Sequence, residues 1–245
     1  MQGKIAGGII AEGFSFNILQ FVENAITYLE KSGVHFFWNS GIQKIEINNG
    51  VVEGLVNSNG ELLVADHYSI NPGAYGNSML DNTPAKGKIG GVAGRWIIMP
   101  RPNGYDMPTK IHGGQREGFP VTDNNLTPFI QNGKPMWAVG GGYVYVGNNS
   151  QNYPDQDSYG IVDSENERTI RIFTADFYES AKKNNGIIVW QKPCVRSFSY
   201  NDAPIHEILP TSRGGKMTIT AASNTGTTTI APYLAKWTAD IFNQS

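Results

Sequence analysis

Two Asn-Gly dipeptides, Asn49-Gly50 and Asn59-Gly60, separate three apolar-rich runs, Ile42 to Ile47, Val51 to Asn57 and Glu61 to Ile70. A tight hairpin turn that matches the twist of its strands needs positive φ at its centre, and Asn and Gly enter that region at least cost. The pattern constrains this stretch to a β-meander. Upstream, residues 16 to 31 place Ile18, Val22, Ala25 and Leu29 on one helical stripe, with Leu19 and Ile26 beside it. Ser15 is placed to cap that helix and Gly33 to end it. Val34 to Trp38 then reads as a buried strand, bounded by Asn39, Ser40 and Gly41. Beyond the meander, Asn71-Pro72-Gly73-Ala74-Tyr75-Gly76 breaks the chain, and Met79-Leu80 opens a short apolar segment.

From about residue 85 to 160 the pattern changes to short strands and long turns, with strands expected at Arg95 to Met99, Thr109 to His112 and Met136 to Val146. This predicts a mostly antiparallel sheet. Asp163 to Lys183 reads as a second helix, with Ser164 and Glu167 in capping-box spacing and Ile170, Phe173, Phe177 and Ala181 on one side. The tail holds strands at Ile187 to Trp190 and Met217 to Ala221, the run Ser223 to Thr229, and a helix through Tyr233, Leu234, Trp237, Ile241 and Phe242. Pro232 fits a helix only in its first turn, which puts the start close to Thr229. The fold class is α+β, mixed.

The 245 residues carry 19 Lys and Arg against 21 Asp and Glu. No basic field or cluster exists to attract phosphate backbones, so nucleic acid is not an expected partner. The single cysteine, Cys194, excludes an internal disulfide framework and fits a reducing compartment. The opening MQGKIAGGIIAEGF lacks a secretory pattern, and no apolar run is long enough to span a bilayer, so the expected location is cytoplasmic. His35, His67, His112 and His206 are scattered without metal-ligand spacing, and no metal is expected. A Gly-x-Ser-x-Gly hydrolase elbow is also absent.

The helix, glycine, strand and meander followed by Asn71-Pro72-Gly73-Ala74-Tyr75 resemble the middle of an oxidoreductase of the D-amino acid oxidase superfamily. Cys194-Val195-Arg196-Ser197-Phe198-Ser199-Tyr200-Asn201-Asp202-Ala203-Pro204-Ile205, with Met217 to Pro232 after it, resembles that family's C-terminal return to its FAD domain in order and spacing. The resemblance implies residues 1–84 as the central part of a FAD-binding domain, 85–191 as a substrate-binding domain, and 192–245 as the return to the FAD domain. It implies FAD as cofactor, an amino acid or amine as substrate, and oxidation of a C–N bond. This chain departs from relatives in having Ser223-Asn224-Thr225 where they carry a glycine-rich turn, and Asn201 where many have Asp.

Residue by residue, the resemblance places Gly73 and Ala74 against the cofactor. It also places there the turn Asn224, Thr225, Gly226, Thr227 and Thr228, whose backbone N–H groups at a helix start suit the negative charge of reduced flavin. The plain alternative is an ordinary Thr-rich helix cap. Arg196 falls where relatives grip the substrate carboxylate, which a guanidinium does with two parallel hydrogen bonds; a surface ion pair with Asp202 is the other reading. Lys110 falls where sarcosine oxidase-like relatives carry an oxygen-activating lysine, or it faces solvent at a strand end. Cys194, two residues before Arg196, is at the offset of a thioether to flavin, or is a small hydrophobe.

Relatives open with a strand, a Gly-x-Gly-x-x-Gly turn and a helix that seat the pyrophosphate. Gly90-Gly91-Val92-Ala93-Gly94 and Gly140-Gly141-Gly142 lack that context and read as turns or strand irregularities. The nucleotide-binding part is therefore expected on a missing N-terminal segment or a separate chain. A chain that has lost flavin binding would instead be a noncatalytic α/β module.

Overall fold

The computed structural model describes residues 17–101, 111–112, 124–149, 153, 189–190, 194–201, 203–222 and 227–244. Its contacts divide the chain into two units, Met1–Gly41 and Ile42–Ser245.

In the first unit the expected helix forms as α1, Ile18–Lys31. Its cap is Asn17, whose Oδ1 accepts from the N–H groups of Leu19 (3.1 Å) and Gln20 (3.2 Å); Ser15 lies outside the described residues. The far end closes as predicted. Gly33 takes φ +89°, and the Val34 N–H donates back to the Leu29 carbonyl at 3.0 Å. Val34 to Trp38 departs from expectation: it is neither a strand nor buried, with Phe37 81% exposed and Trp38 65%. A strand requires a hydrogen-bonded neighbour, and none of the described segments pairs with this one. Its Phe36 and Trp38 rings stack on each other instead, with centroids 5.4 Å apart.

The second unit opens with the meander. β1 (Ile42–Asn48) and β2 (Val51–Asn57) pair antiparallel. Asn49 and Gly50 both take positive φ, 50° and 81°, as a two-residue turn of this hand needs. The third apolar run then divides. Leu62–Leu63 (β3) completes the meander, whereas Tyr68–Ile70 (β4) leaves it and pairs parallel with another strand.

That other strand is β12 (Lys216–Ala221), paired antiparallel with β11 (Ile205–Pro210), so the small sheet has the order β11-β12-β4. The departure of β4 is held at Asp66-His67. The Asp66 carbonyl accepts from Thr211 Oγ1 (2.9 Å), which in turn accepts the Gly215 N–H (3.0 Å). The Lys216 N–H donates to His67 Nδ1 (3.2 Å). Gly215 is required here, since a Cβ on it would lie 2.0 Å from the Asp66 carbonyl oxygen.

One face of this sheet carries Tyr68 and Ile70 of β4 and Met217, Ile219 and Ala221 of β12, all buried against Ile45 and Val52 of the meander and against Leu80 and Ile89. Each large aliphatic side chain removed from water there stabilises the fold by roughly 1.5–3 kcal/mol. The meander thus roofs one face of the parallel pair.

The larger sheet is antiparallel throughout its described pairings. Its strands are β5 (Ile89–Pro100), β6 (Ile111–His112), β7 (Asn124–Gln131), β8 (Lys134–Gly147), β9 (Val189–Trp190) and β10 (Cys194–Ser199). The order is β10-β5-β8-β7-β6, with β9 also on β5. The expected strands at Arg95 to Met99 and Met136 to Val146 are the centres of β5 and β8. Another Asn-Gly pair, Asn132-Gly133, joins β7 to β8 with φ of 50° and 75°. The helix expected over Asp163 to Lys183 lies outside the described residues.

The last helix, α2, spans Thr227–Phe242 and so starts two residues before the expected Thr229, leaving Pro232 at its sixth position. It runs back along β12. Trp237 meets His206 edge-on at 4.8 Å, Phe242 stacks on His67 at 4.7 Å, and Lys216 Nζ donates to the Ile241 carbonyl at 3.3 Å. These three contacts anchor the helix whatever the lost Pro232 N–H costs.

Gly215→Ala is expected to destabilise the protein by roughly 1–3 kcal/mol, because the added Cβ meets backbone and not a flexible side chain. Thermal unfolding of the variant against the parent measures it; an unchanged midpoint would mean that the Asp66–Gly215 approach does not hold β4 in place.

Candidate functional site

In an open sheet the carboxyl ends of parallel strands and the start of the helix that follows them form the usual ligand crevice. β4 and β12 provide such an end. β4 exits into Asn71-Pro72-Gly73, where Gly73 takes φ +61°, and β12 exits at Ala222. Because α2 returns antiparallel along β12, its N-terminus lies at this same end, with the positive pole of its dipole directed there.

A cavity of about 450 Å³ opens between the sheet and α2. Ser69, Asn71 and Gly73 line it from β4 and its exit turn, Thr220 from β12 and Ala222 from just beyond it, and Ser197 from β10. On the helix side the lining residues Ala231 and Ala235 are small. Thr220 is 6% exposed and Thr218 fully buried, and neither hydroxyl has a hydrogen-bond partner among the described residues. A buried hydroxyl without a partner costs about 1–3 kcal/mol, and of the two only Thr220 lines the cavity, where its hydroxyl is available to a group that enters.

Ala222 stands out in the backbone. It is buried, yet has φ +55°, the left-handed region that costs a residue with a Cβ roughly 1–2 kcal/mol. Such strain is characteristic of turns shaped for a ligand.

A second cluster occupies the larger sheet. Arg196 of β10 pairs with Val92 of β5, and Val92 pairs with Tyr145 of β8, so the three side chains form one row on one face. Phe198 packs against Val92 on that face. A Cβ on Gly90 would approach the Tyr145 ring to 3.0 Å, so the glycine gives the ring its place. The hydroxyls of Tyr145 and Tyr200 hydrogen-bond each other. Partial desolvation, followed by the Tyr200 contact, raises the Tyr145 phenol above the ordinary tyrosine range although the side chain is 47% exposed.

The structure places the expected site residues in separate positions. Gly73 lines the cavity; Ala74 beside it is 3% exposed and packed inside. Thr227 and Thr228 are the first two residues of α2. Cys194 is an exposed free thiol opposite Gly94, and with Arg196 it lies on the face of β10 turned away from Ser197 and hence from the cavity. Lys110, Asn224, Thr225 and Gly226 lie outside the described residues. Ala222 and Thr220 were not singled out by sequence, since neither residue type signals its conformation or environment. The row that Tyr145 shares with Arg196 depends on strand register.

Over most of its length the chain has the fold of the FAD-dependent amino acid oxidoreductases. It is similar to iminodiacetate oxidase from Chelativorans sp. BNC1 (14% identity, TM-score 0.59, 91% of this chain and 54% of that one). Glycine oxidase from Geobacillus kaustophilus gives 14% identity and TM-score 0.60 over 91% and 53% of the two chains. L-proline dehydrogenase from P. horikoshii gives 13% and 0.64 over 92% and 55%. The chain spans about half the length of the solved structures it matches. No protein-family model and no curated protein matches it.

At Ala222 two opposing effects set the outcome of substitution. Ala222→Gly relieves roughly 1–2 kcal/mol of backbone strain but loses a buried methyl worth about 0.8 kcal/mol, so stability is expected to change by less than about 1 kcal/mol. Ala222→Val adds a β-branched side chain where φ is positive and is expected to cost at least about 2 kcal/mol. Denaturant unfolding of both variants checks the pair; equal stability of the valine variant and the parent would place Ala222 in an ordinary conformation.

Proposed function

We propose that this chain is part of a FAD-dependent oxidoreductase that oxidises the C–N bond of an amino acid or secondary amine. The fold match carries this reading, because it uses nearly all of this chain and only about half of each matched structure. Residues 1–84 and 192–245 would belong to the cofactor half and 85–191 to the substrate half. A nucleotide-binding segment outside these 245 residues, on the same polypeptide or a separate chain, would complete the FAD site.

The residues at the cavity fit part of such a cofactor. Gly73 and Ala222 bring small, left-handed backbone close to it, the Thr220 hydroxyl is free to bond it, and the α2 N-terminus at Thr227 and Thr228 favours negative charge there. When bound, FAD supplies the redox chemistry by accepting a hydride from the carbon that bears nitrogen. The chain's own residues would orient the substrate. Arg196 would hold a carboxylate through two N–H donors, with the protonated Tyr145 phenol donating from the same row. Lys110 would stabilise reduced oxygen if the electron acceptor is O₂, and Cys194 would be the attachment point only for a flavin ring that reaches its own face of β10, turned away from the cavity.

Expression of the chain alone, and again with its upstream coding segment, tests this reading through the flavin absorbance spectrum before and after acid precipitation. Flavin retained by the longer form is the expected result, and colour left in the pellet would assign the linkage to Cys194. Absence of flavin from both forms would defeat the reading.

In the flavin-bearing form, Arg196→Ala is expected to raise KM for carboxylate-bearing amines by roughly 10–100-fold with a smaller effect on kcat, and Arg196→Lys to recover part of the loss. Steady-state kinetics on a matched amine that lacks the carboxylate provides the control. An equal loss on both substrates would remove Arg196 from carboxylate recognition.

A further inference from the structure

We infer that the cavity between the 77–87 turn and the end of β8 is a binding site for a small dipolar molecule, one that carries both an ammonium and a carboxylate as a free amino acid does. This cavity shares no lining residue with the one beside α2, so it stands apart from the proposed redox chemistry.

The cavity holds about 420 Å³, a volume that suits a small molecule with some water. Apart from Gly87 every residue that lines it has a polar side chain, and its two charges are of opposite sign, Asp81 and Lys86. Both are exposed, and neither is in an ion pair among the described residues, whereas Lys88, two positions on, is bonded to Glu207 at 2.5 Å. A bare cation drawn to Asp81 would meet Lys86, and a bare anion drawn to Lys86 would meet Asp81. Only a ligand with both charges gains from both residues.

The turn that presents the two charges is fixed before any ligand arrives. Asn77, 6% exposed, donates through Nδ2 to the carbonyls of Ile89 (2.6 Å) and Asn148 (2.7 Å), which ties the turn to the start of β5 and the end of β8. Thr83 Oγ1 donates to the Leu80 carbonyl (2.8 Å) and accepts the Ala85 N–H (3.1 Å), and the Lys86 N–H donates to the Thr83 carbonyl (3.1 Å). Leu80 and Ala85 are fully buried beneath. Such preorganisation lowers the ordering cost of binding. Asn77 also lines the cavity, and its buried Oδ1 has no hydrogen-bond partner among the described residues. With Nδ2 already engaged, this side chain has only an acceptor to offer, which an ammonium satisfies directly or through a bridging water.

Titration calorimetry at low salt, on the chain and on the form with its upstream coding segment, tests the site. The probes are glycine, β-alanine and 4-aminobutyrate, which set the two charges progressively further apart, against methylammonium and acetate, which carry one charge each. At least one zwitterion is expected to bind roughly tenfold or more tightly than either single-charge ion, and Asp81→Asn and Lys86→Gln are each expected to weaken it roughly tenfold. Both side chains are exposed, so the circular dichroism of these variants is expected to match the parent. Arg196→Ala is expected to leave this binding in place; binding that Arg196→Ala abolishes and Asp81→Asn spares would assign it to the row on the larger sheet and overturn the site. Acetate or methylammonium bound as tightly as the zwitterions would also overturn it, and calcium bound more tightly than any zwitterion would assign the cavity to a cation instead. No zwitterion bound up to about 10 mM would leave water as the occupant and refute the site, while retention of flavin by the longer form would still uphold the oxidoreductase.

Discussion

The position of β4 depends on a backbone contact that leaves no room for a side chain. At Asp66-His67 the chain lies against the turn between β11 and β12, with the Asp66 carbonyl where a Cβ of Gly215 would be, and with Thr211 Oγ1 bonded to both sides of the approach. This contact removes the end of the third meander run from an antiparallel sheet and sets it parallel to β12. Antiparallel strands alternate their directions, so only the parallel arrangement brings two strand ends and a helix start to one place. The places of the cavity and of the α2 N-terminus follow from it.

The two faces of the small sheet have different roles. The face toward the meander is closed by Ile45, Val52, Met217 and Ile219, and supplies stability. The opposite face is lined by hydroxyls and small side chains, which contribute little to folding and leave space. Thr218 and Thr220 are both buried, and neither hydroxyl has a partner among the described residues, an arrangement that costs stability unless another group arrives. Strain at Ala222 adds to that cost at the same end of the sheet. Polar burial and strain therefore coincide at one end of one sheet, while the antiparallel sheet carries Arg196 and Tyr145 in one row across its strands.

Local chemistry explains which expectations held. Asn49-Gly50 forms its turn because both residues tolerate positive φ, and Gly33 ends α1 for the same reason. The same signal at Asn132-Gly133 joins β7 to β8 and was equally readable. Val34 to Trp38 misled because an apolar run has strand propensity but cannot supply its own hydrogen-bonding neighbour. Pro232 suggested a slightly later start for α2; its missing N–H is tolerated at the sixth position because His67, His206 and Lys216 hold the helix elsewhere.

By itself the sequence determined the elements whose causes are local: α1 and its glycine stop, the Asn-Gly hairpin of β1 and β2, the centres of β5 and β8, and the break at Asn71-Pro72-Gly73. It also carried the resemblance that the fold comparison supports. Only the tertiary structure decided that β4 leaves the meander, that Ala222 takes a left-handed turn, that Arg196 shares a row with Tyr145, and that Ser197 faces the cavity while Cys194 does not. Each of these depends on register or on contact between segments distant along the chain. Hydrophobic period and turn residues encode the local path of a backbone, not the partner it will meet.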